Sequence, residues 1–124
     1  MRQKRYHVYH RIHMDLMIQF GRLPEQVARS DYQKVAEVRA EDLEEVFTLT
    51  NHRSEKPWWQ HPDVTPASSN PAYRSISVGD VFQRGRKLWM VASVGMVQVT
   101  WEQKGGSAPA FGWHKFVSLL KALF

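Results

Sequence analysis

Residues Asn51 to Val81 read NHRSEKPWWQHPDVTPASSNPAYRSISVGDV and separate a helix-like segment from strand-like segments. This stretch contains two adjacent tryptophans, four prolines and a Ser-Val-Gly-Asp turn. A loop of this length is rare in a compact domain unless it is functional, disordered or packed by its own side chains. Trp58 and Trp59 argue against disorder, because indoles gain strongly from burial. We therefore expect an ordered loop, anchored by aromatic side chains, that carries the binding function.

The segment before this loop, AEDLEEVFTLTN, has the clearest helical pattern in the chain. Its apolar face follows the i, i+3, i+4, i+7 spacing and consists of Leu43, Val46, Phe47 and Thr50. The acidic first turn complements the positive end of the helix dipole. Asn51 is expected to end the helix, because asparagine tolerates the left-handed conformation common at that position.

Strand-like alternation of apolar and polar residues occurs in five segments. They are residues 5–12, 32–39, 77–83, 88–94 and 97–102. In the first, one face should carry Tyr6, Val8, His10 and Ile12. Residues 84–87, Arg-Gly-Arg-Lys, are predicted to form a tight hairpin in which Gly85 supplies a positive φ. In the turn before the third strand, Gly79 and Asp80 are interpreted as scaffold residues.

Two apolar segments complete the prediction. Residues 14–30, MDLMIQFGRLPEQVARS, are ambiguous: their apolar cluster could cap the core, and Pro24 could open a short helix. Residues 113–124 carry a helical apolar stripe. The predicted fold is α+β, a four- or five-stranded, mainly antiparallel sheet with one or two helices packed on it. The element order is β-β-α-loop-β-β-β-α.

Length and composition set the class of protein. The 124 residues suit a single domain, residues 1–124. Cysteine is absent, which excludes disulfides and thiolate chemistry and fits a reducing cytoplasm. No apolar run approaches the roughly 20 residues of a membrane span, and the basic N-terminus lacks the apolar region of a signal peptide. We expect a cytoplasmic protein without membrane contact.

The titratable residues give little support to a metal site or to catalysis. His7, His10 and His13 are three residues apart, but on a strand His10 points away from the other two. A nucleophile could be Ser75 or Ser77. The accompanying base could be His52 or His61, and the orienting acid Asp63 or Asp80. Such sets can be drawn in most chains of this size, since triads are defined by geometry. We expect no enzyme activity, no metal and no cofactor.

The candidate contact surface combines aromatic and basic side chains of the loop with the basic hairpin. Such a mixture holds single-stranded nucleic acids by stacking, and it also forms protein hot spots. The net charge of +5 suits either a nucleic acid or an acidic protein face. A third alternative is that the tryptophans close the open side of the sheet. The predicted contact residues are Arg53, Lys56, Trp58, Trp59, His61, Tyr73, Arg74, Arg84, Arg86 and Lys87.

The order of EDLEEVFTLTNHRSEKPWW, YRSISVGDVFQ and a hairpin over residues 88–99 resembles the YodL-like domains of small bacterial proteins and of polyvalent proteins of phages and conjugative elements. The resemblance covers residues 38–95. The matching positions are Leu43, Val46, Phe47, Asn51, His52, Trp58, Trp59, Arg74, Ser75, Ser77, Val78, Gly79, Asp80 and Val81. It implies no established reaction. It implies a mobile-element setting, in which small accessory proteins often blunt host defences or handle incoming DNA.

Together, these patterns predict a non-catalytic binding protein of mobile-element type. It would act on a host protein or nucleoprotein complex, as an inhibitor of a host defence complex comparable to an anti-CRISPR protein. The alternative is a nucleic-acid-binding accessory module that uses the same residues. The oligomeric state stays open between monomer and dimer.

Overall fold

A computed structural model describes residues 3–51 and 56–103 of the chain. Within them, seven strands form one sheet. The elements are β1 (Lys4–Arg11), α1 (Leu16–Gln19), β2 (Gln26–Val27), β3 (Tyr32–Ala40), α2 (Leu43–Leu49), β4 (Val64–Pro66), β5 (Val81–Arg84), β6 (Lys87–Val91) and β7 (Met96–Trp101). The predicted α+β class is confirmed. The predicted helix at 113–124 and the contact residue Arg53 lie outside the described residues.

The strand order across the sheet is β2-β7-β6-β5-β1-β3-β4. All neighbouring strands are antiparallel except β2 and β7, so the sheet is mixed. The prediction of four or five strands was therefore too low. All five predicted strands are present with shifted ends, and the two missed strands, β2 and β4, contain two and three residues. Strands this short contain too few residues to show a period of two.

Turns account for the shifted strand ends. The predicted strand 77–83 begins only at Val81, because residues 77–80 turn about Gly79, which has a φ of 98°. The predicted strand 88–94 ends at Val91, because Gly95 closes a turn there with a φ of 75°. The predicted hairpin at residues 84–87 is confirmed, with Gly85 at a φ of 62°.

Both faces of the central sheet are buried. The face that carries α2 holds a cluster that we call the α2 core: Tyr6, Val8, Val35, Ala36, Val38, Ala40, Val46, Trp58, Val64, Ile76, Phe82 and Val91. The opposite face holds the α1 core: Tyr9, Ile18, Val27, Tyr32, Val81, Leu88, Met90 and Val99. The predicted alternation along β1 is thus correct for Tyr6, Val8 and Tyr9. Ile12 does not join the face predicted for it, since it lies beyond the end of β1 and is exposed.

A β-bulge and strong curvature shape the sheet around β1. Val8 pairs with Ala36 and Tyr9 pairs with Lys34, so Val35 is an extra residue on β3. A bulge of this kind bends its strand and increases the local twist. The rings of Tyr9 and Trp101 are 5.3 Å apart between centroids, although β5 and β6 separate their strands. The sheet therefore curls around the α1 core.

The two helices begin at aspartate caps. Asp42 accepts a hydrogen bond from the Glu45 N–H at 2.9 Å at the start of α2, where a helix was predicted. Asp15 accepts one from the Met17 N–H at 2.9 Å and so starts α1 before Pro24 rather than after it. The predicted helix at Pro24 is therefore wrong, because Pro24 leads into β2. No helix in the described ranges is long and apolar enough to cross a membrane.

Candidate binding groove beside the Trp58 loop

The end of α2 forms one side of the candidate site. The Thr50 hydroxyl is buried and donates to the Val46 carbonyl at 2.8 Å. The Asn51 side-chain amide donates to the Phe47 carbonyl at 2.8 Å. The expectation that Asn51 takes the left-handed conformation is wrong, since every described non-glycine residue has a negative φ. Its side chain instead satisfies a terminal carbonyl of the helix, which fixes this end of α2.

Trp58 anchors the following segment, residues 56–80, which we call the Trp58 loop. Pro57 precedes a single 3-10 turn at Trp58–Gln60. The Trp58 side chain is only 4% exposed and belongs to the α2 core. Its indole N–H donates to the Arg74 carbonyl at 2.9 Å, which joins the beginning of the loop to its end. Of the alternatives raised by the sequence, Trp58 follows the one in which the indole closes the core.

Trp59 and Tyr73 cover Trp58 and complete an aromatic cluster. The Trp59 ring meets Trp58 edge-on at 5.6 Å and Tyr73 edge-on at 5.7 Å. Both Trp59 and Tyr73 are half-buried. Edge-to-face packing at these centroid distances contributes beyond simple burial of area. Part of the surface of Trp59 and Tyr73 is therefore buried within the protein, and only the rest is accessible to a partner.

His10 lies under the same cluster, and the sequence did not single it out for this role. Its ring is 6.1 Å from Trp58 and 6.2 Å from Tyr73 between centroids. Burial lowers the pKa of His10 to about 4; the Asp80 carboxylate opposes this shift and the Arg74 guanidinium adds to it. The imidazole is therefore neutral at pH 7. One feature of the sequence did point to the burial of His10: on β1 it shares a face with Tyr6 and Val8.

An ion pair between the buried Asp80 and Arg74, whose side chain is 46% exposed, joins the end of the Trp58 loop to β1. The Arg74 guanidinium donates to both Asp80 carboxylate oxygens, at 2.6 and 2.8 Å. Asp80 has no exposed surface, and its oxygens also accept from the backbone N–H groups of Ser77 at 2.8 Å and Arg11 at 2.7 Å. The interpretation of Asp80 as a scaffold residue is confirmed by these bonds.

The same network occupies Arg74. The hydrogen bond with Asp80 raises the pKa of Arg74 above its usual value. The terminal nitrogens also donate to the Ser75 carbonyl at 3.0 Å and the Arg11 carbonyl at 3.1 Å. Four N–H groups of this predicted contact residue thus have partners within the fold. Arg74 positions the loop, and its terminal N–H groups are committed before any ligand arrives.

Between α2 and the loop lies a groove of about 410 Å³. Its walls are Thr48, Leu49, Asn51, Lys56, Pro57, Trp58, Gln60, His61 and Pro62. Three predicted contact residues, Lys56, Trp58 and His61, therefore share one depression. The His61 Nδ1 accepts from the Asp63 N–H at 3.0 Å, so the neutral ring carries its proton on Nε2. We call this depression the Trp58 groove; it has an apolar lining and polar side chains around it.

The basic hairpin lies on a different part of the molecule. The Arg84 guanidinium lies 6.0 Å from the centroid of the Tyr6 ring, and Arg86 and Lys87 are exposed. Tyr6 and His10 are four residues apart on β1, a distance of about 13 Å at the rise of a strand. The hairpin residues do not line the Trp58 groove, so the predicted contact residues form two groups, one at the groove and one beside Tyr6.

Residues 3–51 and 56–103 contain no group of three His, Cys, Asp or Glu side chains placed to hold a metal ion. The described site consists of the Trp58 groove, with four apolar and five polar lining residues, held by the hydrogen bonds of Trp58 and Asn51. Comparisons of the chain with protein-family models, curated proteins and solved structures found no match.

Proposed function

We propose that this chain is a non-catalytic binding protein that holds a partner protein in the Trp58 groove. The observation that carries the proposal is the groove itself, a depression of about 410 Å³ whose lining combines four apolar residues with five polar ones. Protein hot spots have this anatomy, because an apolar anchor is desolvated at the centre while polar groups stay at the rim.

The rigidity of the walls supports this proposal. The indole N–H of Trp58 is bonded to the opposite end of its loop. The Ile76 N–H donates to the Thr50 carbonyl at 3.0 Å, which ties the loop to the end of α2. A groove that is already ordered loses little conformational entropy when a partner binds, so more of the contact free energy remains as affinity.

The rim suggests what the partner offers. Leu49, Pro57 and Pro62 present apolar surface above the buried Trp58, Lys56 adds a positive charge, and His61 carries a ring N–H. An apolar side chain next to a carboxylate would match both the lining and the charge. The predicted partner is a host protein or nucleoprotein complex. The resemblance to YodL-like domains supports a mobile-element setting and a role as an inhibitor of a host defence complex.

Charge reversal tests the groove against a matched control. Lys56→Glu changes the rim, while Lys87→Glu makes the same change of charge on the hairpin. We expect Lys56→Glu and Leu49→Asp to lose proteins that the wild type captures from bacterial lysate, and Lys87→Glu to keep them, as measured by quantitative mass spectrometry. Circular dichroism must first show that each variant is folded. An identical set of captured proteins for all variants would contradict the proposal.

The second candidate, a nucleic-acid-binding module, is favoured by the exposed Arg86 and Lys87 and by the net charge of +5. Two features oppose it: Trp58 is too buried to stack on a base, and the terminal N–H groups of Arg74 already have partners. A salt titration with single- and double-stranded oligonucleotides separates the two functions. Micromolar binding that falls steeply with salt, and that is lost in Arg86→Glu with Lys87→Glu, would favour this second candidate.

A further inference from the structure

Five large apolar side chains around α1 face solvent: Ile12, Met14, Leu16, Met17 and Phe20. We call them the α1 patch. Their exposed fractions range from 51% for Met17 to 81% for Phe20. By typical side-chain areas they present roughly 600 Å² of surface, the upper end of what the largest apolar patch of a monomer usually exposes. The sequence leaves this segment ambiguous, with capping of the core as one possibility for its apolar cluster.

The patch is held in place by a fixed frame. Ile18 is buried against Gly79, where an added Cβ would lie 3.6 Å from the Ile18 side chain. Asp15 caps α1, and the Arg11 guanidinium is within 3.4 Å of the Asp15 carboxylate and 3.5 Å of Asp31. These contacts anchor one side of α1, so its other apolar side chains remain outward.

A cleft of about 210 Å³ lies beside the patch. Its lining is Arg11, Ile12, His13, Met14, Asp15, Ile18, Gln19, Arg74, Ser77 and Val78. The cleft is smaller than the roughly 300–1,000 Å³ of typical small-molecule sites, and its size suits one inserted side chain. Its two arginines are already paired, Arg74 with Asp80 and Arg11 with Asp15 and Asp31. The pairing of both arginines argues against an anion site, and among the polar groups of the cleft Ile12, Met14, Ile18 and Val78 offer apolar contact to an incoming side chain.

We infer that the α1 patch binds a second copy of this chain across a two-fold axis, with Phe20 of each copy in the cleft of the other. A two-fold contact requires that one surface carry both the projecting group and its receptor. The α1 patch meets this requirement, because Ile12 and Met14 belong to both the patch and the cleft.

Charge and area support a second copy as the occupant. Each chain carries a net charge of +5, so two copies repel each other overall. At this surface the repulsion is limited, because Arg11 is paired with Asp15 and Arg74 with Asp80. The exposed apolar area of roughly 600 Å² equals what each partner contributes at the lower end of specific interfaces, about 1,200 Å² in total. This inference does not rest on the proposed function. A dimer would nevertheless carry two Trp58 grooves, which raises avidity for a partner with repeated sites.

Sedimentation equilibrium of the full chain tests the dimer. We expect a wild-type Kd in the micromolar range and at least a tenfold weaker Kd for Phe20→Asp. Val94→Asp is the matched control, because Val94 is 90% exposed in the turn between β6 and β7; its Kd should stay unchanged. A wild type that is monomeric at roughly 200 µM, or a dimer that Phe20→Asp does not weaken, would overturn the inference.

Disulfide trapping tests the geometry. Because the natural chain contains no cysteine, a mixture of Phe20→Cys and Ser77→Cys proteins can form only engineered disulfides. We expect the mixed Phe20→Cys–Ser77→Cys dimer to form at least several times faster than the mixed dimer of Phe20→Cys with Val94→Cys. Equal rates would show that Phe20 does not enter the cleft of a second copy and would overturn the inference.

Discussion

The Trp58 loop and the α1 segment are both irregular, apolar-rich connections, yet the loop turns its largest side chain inward and the α1 segment turns most of its apolar side chains outward. The difference lies in the anchors. The loop is fixed at both ends, by the Trp58 indole bond and by the Arg74–Asp80 pair. The α1 segment buries only Ile18. Apolar content alone therefore does not place a connection; the number and spacing of its anchors does.

Removal of the anionic anchor of the loop should have the largest effect. Asp80→Ala leaves the Arg74 guanidinium and two backbone N–H groups without their acceptor. We expect a loss of about 3–4 kcal/mol in the free energy of unfolding, mainly from the two N–H groups, because the Arg74 side chain is 46% exposed and stays solvated. Urea denaturation measures it. Asp63→Ala, at a half-buried position on the same loop, should cost less than about 1 kcal/mol. Equal losses for both variants would remove the distinction between the anchor and the rest of the loop.

Ile18, the buried side chain of α1, is the next target. Ile18→Ala should cost about 3 kcal/mol, because it opens a cavity in the α1 core. Leu16→Ala, in the same helix, should change the stability of the monomer by no more than about 0.5 kcal/mol. Urea denaturation at low protein concentration measures both. A large loss for Leu16→Ala would mean that the α1 patch packs within its own chain.

Acid should lower the free energy of unfolding through protonation of His10, which lies under the aromatic cluster. Its pKa is about 4 in the folded protein and about 6.5 when unfolded, so between these values the unfolded chain binds more protons. Stability is therefore retained above pH 6.5 and lost as the pH falls toward 4, by up to about 3 kcal/mol. We expect His10→Phe to flatten this dependence in urea titrations at several pH values. The exposed His13→Phe serves as control and should leave the slope unchanged.

The two adjacent tryptophans should differ. Trp58→Phe removes the bond to the Arg74 carbonyl and leaves unfilled volume in the α2 core, for a cost of about 2 kcal/mol. Trp59→Phe changes a half-buried ring and should cost less than about 1 kcal/mol. Thermal unfolding followed by far-ultraviolet circular dichroism measures both. A reversed order would mean that Trp59, not Trp58, holds the loop.

Local patterns in the sequence were sufficient for the parts whose signals are short-range. The helix at α2, the alternation along β1 and the hairpin at Gly85 all follow from spacing or from the conformational freedom of one residue. The aromatic loop was also predicted, and three of its contact residues share the Trp58 groove. The helix, the strand and the hairpin are each encoded within about ten consecutive residues, and the loop is marked by its composition.

The remaining features depend on partners far apart in the chain. Arg11 and Asp80, and likewise His10 and Trp58, meet only because β1 lies beside the Trp58 loop in the folded sheet. The sequence shows which residues are aromatic, charged or apolar. It does not show which polar side chains find their hydrogen-bond partners within the fold. That selection was made by packing and by the requirement that buried polar groups find partners. It made Arg74 an anchor of the loop and left the Trp58 groove and the α1 patch open to solvent.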